Sequence, residues 1–249
     1  MQWILCAIVW LPHVHGSGEV THDLGLDTAL RGTLALDIDL GIAQTTRWQW
    51  SIFTSVRTIV RENTQQETFF RISPEQVHYP VGTRVRWRLN QSTSWGLVAF
   101  HQSNHDVDTT DADLNTETIS YEVYGAEYQS GRQVIRAGVY YDRGTRLDKT
   151  LQNWPFNYYL AGIEYTGRWP ITPWLYLAGR AEFIGHRNAN TPMPHITMNG
   201  HGDLGVVVRG NAADTRFFLR IARLTDYPYL GAPAHQLLSL GVRIGHLLE

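Results

Sequence analysis

The chain has 249 residues, a formal net charge of −2 at neutral pH and a mean hydropathy of −0.26. This length fits a single all-β domain, and the near-neutral charge gives no electrostatic basis for a nucleic-acid partner. The low hydropathy does not exclude a membrane barrel, because lipid-facing and lumen-facing residues cancel in any window. Aromatic residues make up 12% of the chain, and Trp and Tyr are favoured at membrane interfaces.

The N-terminal residues 2–11 form an apolar run that is too short to cross a membrane as a helix. The run contains Cys6, the single cysteine, and it is typical of a secretory signal, with Val14-His15-Gly16 as the cleavage site. It is atypical in that no Lys or Arg precedes it. The sequence therefore predicts a signal peptide over residues 1–16 and export of the rest. No other apolar run could cross a membrane as a helix.

From about Thr33 onward, the sequence is a series of short segments in which apolar and polar residues alternate. Trp87 and Leu89 alternate with Arg86 and Arg88, for example, so that one face is apolar and the other is strongly polar. Tight turns and longer loops follow one another between the segments, as they do on the two rims of an outer-membrane barrel. We predict a single all-β domain, an antiparallel transmembrane β-barrel of about twelve strands, over residues 17–249. The predicted strands are 33–43, 47–60, 66–72, 82–90, 94–104, 116–128, 132–142, 154–167, 173–186, 196–210, 214–224 and 235–246.

The alternation also assigns each strand residue to a lipid-facing belt or to the lumen. The belt is predicted at Leu36, Ile38, Trp50, Ile52, Trp87, Leu97, Val123, Leu177, Val206, Leu219, Leu240 and Val242. The lumen is predicted to hold Arg84, Arg86, Arg88, Glu122, Arg136, Glu164, Arg180, Glu182, Arg209, Arg220 and Arg243. Charges of both signs at this density favour an ion-paired plug, with a narrow solute channel as the alternative.

The residue types that chemistry requires occur at the end of strand 94–104. His101 and Ser103 share the parity of Leu97, which places them on the predicted lipid side. On the next strand, the parity of the apolar residues Tyr121 and Val123 extends back to Glu117 and Asn115. A serine, a histidine and a third residue that orients the imidazole form the general pattern of a hydrolytic triad. These residues therefore predict a candidate hydrolytic site near the loop-side rim.

The segment His101-Gln102-Ser103-Asn104, with Asn115 twelve residues after the serine, resembles the active-site segment of outer-membrane phospholipase A. The resemblance implies a twelve-stranded barrel in which Ser103 is the nucleophile, His101 the base and Asn115 its orienter. It also implies calcium near the oxyanion site and an active homodimer. The chain departs from the family at His105, where the family has a glycine whose backbone helps to form the oxyanion hole. The oxyanion donors would then be backbone N–H groups near Asn104 and His105.

Two weaker resemblances and the loop acids complete the candidate chemistry. His-x-Ser-Asn followed by a glutamate resembles lipid A 3-O-deacylase, with Glu117 as the orienter. His101, Ser103, His105 and Asp108 also match the spacing in uncharacterised outer-membrane barrels with His-x-Ser-x-His-x-x-Asp. The neighbouring acids could bind calcium through carboxylate oxygens or form a solvated loop; they are Asp106, Asp108, Asp111 and Asp113.

Taken together, the sequence predicts a barrel in the bacterial outer membrane with membrane lipids as its partners. One interpretation is a Ser–His acyl hydrolase that acts on phospholipid or lipid A. The alternatives are a barrel without enzymatic activity and a narrow channel.

Overall fold

The computed structural model describes residues 13–25, 30–62, 72–106, 118–142, 159–187, 194–225 and 234–245. The secondary structure of these ranges consists of β-strands, and among them no helix is long and apolar enough to span a membrane. The strands are β1 (His13–Asp23), β2 (Leu30–Gln44), β3 (Trp48–Glu62), β4 (Ile72–Arg88), β5 (Thr93–Asp106), β6 (Thr118–Ser130), β7 (Gln133–Asp142), β8 (Tyr159–Pro170), β9 (Leu175–Arg187), β10 (Pro194–Val208), β11 (Asp214–Thr225) and β12 (Ala234–Gly245).

The strands form a closed antiparallel barrel, which confirms the predicted fold. Each strand pairs with its neighbours in sequence, and β1 pairs with β12 to close the wall. The described tight connections follow β2, β4, β6, β8 and β10, so they share one rim with the start of β1 and the end of β12. One of them contains Gly131 at φ 55°, a left-handed conformation that glycine adopts at little cost.

Two predicted strand assignments are wrong, and their errors cancel in the count. The segments 66–72 and 82–90 were predicted as separate strands, but 72–88 is the single strand β4. The strand β4 contains Pro74 and Pro80, and Pro74 lies at a register shift opposite Val60, where a strand tolerates proline. The strand β1 was missed because its outward positions include Gly16 and Gly18, which give no apolar period.

Strand β1 also bears on the predicted signal peptide. His13 to Gly16 pair with Gly41 to Ile38 of β2, so the last residues of the predicted signal lie within a strand of the barrel. The boundary at residue 16 stays a prediction, and export with it.

Ion pairs between strands that are not neighbours define the lumen face. Arg84 of β4 contacts Asp39 of β2 at 3.1 Å and Glu127 of β6 at 3.0 Å. Arg220 of β11 binds Glu19 of β1 across β12. These side chains are at most 22% exposed. Because such contacts join groups across the concave side of the wall, they fix which alternate residues of each strand point inward.

The lumen is only partly polar. Beside the ion pairs lies an apolar cluster in which Val123 is 1% exposed, and it also contains Val98, Phe100, Tyr121, Tyr140 and Ile184. Val123 was predicted in the belt and Glu122 in the lumen, and both assignments are wrong. Their strand was assigned by its apolar residues, which pack here against the interior cluster instead of lipid.

The rest of the predicted faces agree with the register. Apart from Val123, the predicted belt residues point outward, and several are largely exposed, with Leu97 at 52% and Leu240 at 53%. The predicted lumen residues Arg84, Arg86, Arg136, Glu164, Arg180, Glu182, Arg220 and Arg243 point inward. Arg88 ends β4, and Arg209 follows the end of β10, so both are exposed at the short-turn rim.

Candidate active site

The candidate site lies on the outer wall, where β5 pairs with β6. Glu122 is the register partner of His101, and Ser120 is the register partner of Ser103. These four residues alternate with Phe100 and other inward residues, so they share the outward face. Cross-strand partners on one face have Cβ atoms about 4.5–5.5 Å apart. Strand pairing therefore brings two serines, a histidine and a carboxylate into one patch.

The imidazole of His101 bridges two partners on β6. Its Nδ1 lies 3.1 Å from Oε1 of Glu122, and its Nε2 lies 3.3 Å from Oγ of Ser120. An ionised carboxylate can only accept a hydrogen bond, so Nδ1 carries the ring proton and its N–H donates a hydrogen bond to Glu122. The neutral ring then accepts at Nε2 the hydrogen bond that the Ser120 hydroxyl donates. Serine, histidine and carboxylate thus stand in the order that a hydrolytic triad requires.

The surroundings of this triad are apolar and aromatic. Val81, the register partner of His101 on β4, is 47% exposed, and Tyr141, the partner of Glu122 on β7, is 42% exposed. Tyr124 also faces outward from β6 and is 59% exposed. The side chain of His101 is 34% exposed and that of Glu122 is 19% exposed. A carboxylate on an apolar outer wall is costly unless a partner compensates it, and here His101 is that partner.

Only part of the site predicted from the sequence lies within the described residues. His101 and Ser103 lie on the outward face of β5, and Ser103 is 2% exposed. Asn104 and His105 pair with both β4 and β6. That double pairing directs their backbone N–H groups into the sheet ladder. Their role as oxyanion donors is not tested and stays a prediction. Asn115, Glu117 and Asp108 lie outside the described residues, and their roles also stay predictions.

Sequence reasoning missed Ser120 and Glu122. It placed β6 with its apolar residues outward, which turned both of these side chains into the lumen. A better signal was present in Glu127, which lies five residues from Glu122 and therefore on the opposite face. Glu127 is the register partner of Arg136, a pair suited to the lumen, and this would have placed Glu122 outside.

The predicted calcium site is not tested by the described residues. The side chains of Asp106, Asp108, Asp111 and Asp113 lie outside them. Within the described ranges, no three His, Cys, Asp or Glu side chains are grouped to hold a metal ion. The carboxylate next to the candidate serines, Glu122, is engaged by His101.

No protein-family model and no curated protein matches the chain. Among solved structures, outer membrane phospholipase A from Escherichia coli is similar over 96% of this chain and 94% of its own, with 10% identity and a TM-score of 0.49. A calcium-bound outer membrane phospholipase dimer from Salmonella typhi is similar over 99% and 94%, with 9% identity and a TM-score of 0.48. The translocator domain of the autotransporter NalP from Neisseria meningitidis is similar over 97% and 87%, with 11% identity and a TM-score of 0.40. At this level of similarity, any activity has to be argued from the chain's own residues.

Proposed function

We propose that the chain is a bacterial outer-membrane barrel that hydrolyses acyl esters of membrane lipids at its outer wall. The support for the location is the closed wall with an apolar exterior, an ion-paired lumen and short turns on one rim, a combination typical of outer-membrane barrels. The support for the activity is one observation. The His101 ring joins Ser120 and Glu122 on the surface that would contact lipid.

The proposed chemistry follows from the positions of the ring nitrogens. As the serine oxygen attacks the ester carbonyl, Nε2 of His101 takes the hydroxyl proton, and Glu122 stabilises the imidazolium that forms. His101 then gives the proton to the departing alcohol, which leaves the acyl group on the serine. Water, deprotonated by the same histidine, releases the fatty acid and restores the hydroxyl. An outward site lets the acyl chain remain in the membrane during the reaction.

Two serines can serve as the nucleophile. The sequence points to Ser103, whereas the described hydrogen bond to Nε2 comes from Ser120. We assign the attack to Ser120 and the role of oxyanion donor to the Ser103 hydroxyl, which lies opposite on the same face. A serine hydroxyl aimed at the developing oxyanion is a suitable donor. The reverse assignment, with Ser103 attacking, is the alternative.

The two serine variants distinguish these assignments. We expect Ser120→Ala to lower kcat by on the order of 10³-fold or more, and Ser103→Ala to lower it by about 10²–10³-fold. The measurement is fatty-acid release from phospholipid and from lipid A by purified protein in detergent, with and without calcium. The folding of each variant is checked by comparing its gel migration before and after heating. The reverse order of the two losses would make Ser103 the nucleophile, and an inactive wild type would refute the proposed hydrolase.

A pair of arginine substitutions tests whether the apolar belt contacts lipid. Leu219 lies mid-strand on β11 between Leu204 and Leu240, and Val208 ends β10 at the short-turn rim. We expect Leu219→Arg to cost about 2–4 kcal/mol of unfolding free energy and Val208→Arg only about 0–1, because the penalty falls towards the interface. Urea unfolding in phospholipid vesicles measures both. Equal costs would show that the belt does not lie in the hydrocarbon region.

The channel alternative has less support from the interior. Ion pairs and the apolar cluster around Val123 lie inside the barrel, with Phe100 and Tyr140 packed in the same cluster. A barrel without activity is the remaining alternative, and the homodimer stays a prediction from the family resemblance. Neither alternative requires the hydrogen bonds that join Ser120, His101 and Glu122 on the outer wall. These hydrogen bonds are the reason for preferring the hydrolase.

A further inference from the structure

A second feature with binding potential lies inside the barrel, away from the outer-wall site. A cavity of about 160 Å³ opens between the inward faces of several strands. It is smaller than the 300–1,000 Å³ typical of sites for drug-sized ligands. Its size therefore suits a small ion or molecule.

Four arginines line this cavity: Arg57, Arg180, Arg220 and Arg223. Arg223 is exposed, whereas Arg180 and Arg220 have carboxylate partners. Arg180 contacts Glu164 at 3.0 Å and Glu182 at 3.6 Å. Arg220 binds Glu19 and also contacts Asp203 at 2.7 Å. These two cations are thus compensated by protein carboxylates.

Arg57 differs from Arg180 and Arg220. No hydrogen bond or ion pair joins it to a side chain in the part of the chain that the structure describes. Its register partners are Ala35 on β2 and His78 on β4. The small side chain of Ala35 leaves space beside the guanidinium, and His78 lines the same cavity. The carboxylates of Glu19 and Asp37 attract Arg57 electrostatically, but they are hydrogen-bonded to Arg220 and Arg243. The Arg57 guanidinium therefore loses hydration inside the barrel without a hydrogen-bonded carboxylate in return.

We propose that the lumen cavity binds a small oxyanion on Arg57. The guanidinium presents a planar fork of N–H donors that matches two oxygens of a phosphate or a carboxylate. His201 lines the same space and can donate a further hydrogen bond. Bound there, the anion adds negative charge directly beside Arg57. This site is separate from the proposed hydrolytic site and does not depend on it.

The test uses inorganic phosphate as the probe and the purified full chain in detergent. Isothermal titration calorimetry, with ionic strength held constant by sodium chloride, is expected to show saturable binding of one phosphate per barrel. Arg57→Met should weaken that binding by about tenfold or more, since a charge-assisted bidentate contact is lost. Arg47→Met is the matched control. It removes the same charge from the exposed turn after β2, and phosphate affinity should be unchanged.

Two further measurements keep the proposal open to refutation if Arg57→Met folds poorly. Arg57→Lys retains the charge without the planar fork and should bind phosphate with intermediate affinity. Phosphate should also raise the heat-unfolding temperature of the wild type above that in chloride at equal ionic strength. Absence of saturable binding to the wild type would overturn the site. So would an Arg57→Met variant that binds phosphate as tightly as Arg47→Met does.

Discussion

We expect His101→Asn to lower lipid ester hydrolysis by on the order of 10²–10⁴-fold, the range over which a general base contributes. Asparagine keeps a polar group at this position but cannot take the serine proton at neutral pH. Both the attack and the release of the acyl group then lose their proton carrier. The loss should fall on kcat, because the apolar surroundings at Val81 and Tyr124 that would hold the acyl chain are unchanged.

Glu122→Gln provides the companion measurement for the same site. The amide keeps the size of the carboxylate but does not stabilise the imidazolium, and the related change in a serine protease triad lowers kcat by about 10⁴-fold. We expect a large loss in kcat, an unchanged KM and a shifted pH profile, because Glu122 acts by positioning and polarising His101. A stability loss without a kinetic effect would show that the pair is only structural.

The second large effect is expected inside the barrel, at Glu127. This carboxylate is 2% exposed and contacts three arginines, with Arg84 at 3.0 Å, Arg86 at 3.3 Å and Arg136 at 2.6 Å. We expect Glu127→Gln to cost about 3–5 kcal/mol of unfolding free energy, because removal of one partner leaves uncompensated buried charge. The loss of stability is measured by urea unfolding and by the temperature at which heating changes the gel migration of the barrel.

Glu122→Gln serves as the control for this stability experiment. It makes the same chemical change five residues away on the same strand, but on the outer face. Its unfolding free energy should lie within about 1 kcal/mol of the wild type, because the change affects only one partly exposed hydrogen bond to His101. If both variants lost the same stability, Glu127 would not be the centre of the lumen network.

The barrel could be predicted from the sequence because most strands repeat one polar and one apolar face. β11 shows this plainly, with Phe217, Leu219 and Ile221 outward and Arg216 and Arg220 inward. Strands without that contrast between the two faces were harder to predict from the sequence. The outward face of β1 carries glycines, and β4 contains two prolines, so one strand was missed and the other was divided. The predicted number of strands is therefore correct partly because these two errors cancel.

The candidate site could be predicted only on one of its two strands. On β5, the exposed Leu97 fixed the correct face, and His101 followed from it by parity. On β6, Tyr121 and Val123 are apolar and nevertheless point inward, because this barrel has an apolar cluster in its lumen. Hydrophobicity alone cannot distinguish lipid from an apolar interior. The partners of His101 therefore emerged only from the pairing of β5 with β6.

The seam between β1 and β12 has a consequence for how the molecule assembles. Side-chain contacts around this seam join residues that are very distant in sequence. Arg220 of β11 reaches across β12 to bind Glu19 over 201 positions, and Arg243 of β12 donates to Ser17 over 226 positions. Loop closure over such separations is slow, and contacts of this kind lower folding rates. Until the last strand arrives, the first and eleventh strands present unpaired edges that can pair with other chains. We therefore expect a chain truncated before Ala234 to aggregate, and the full chain to depend on assistance during insertion.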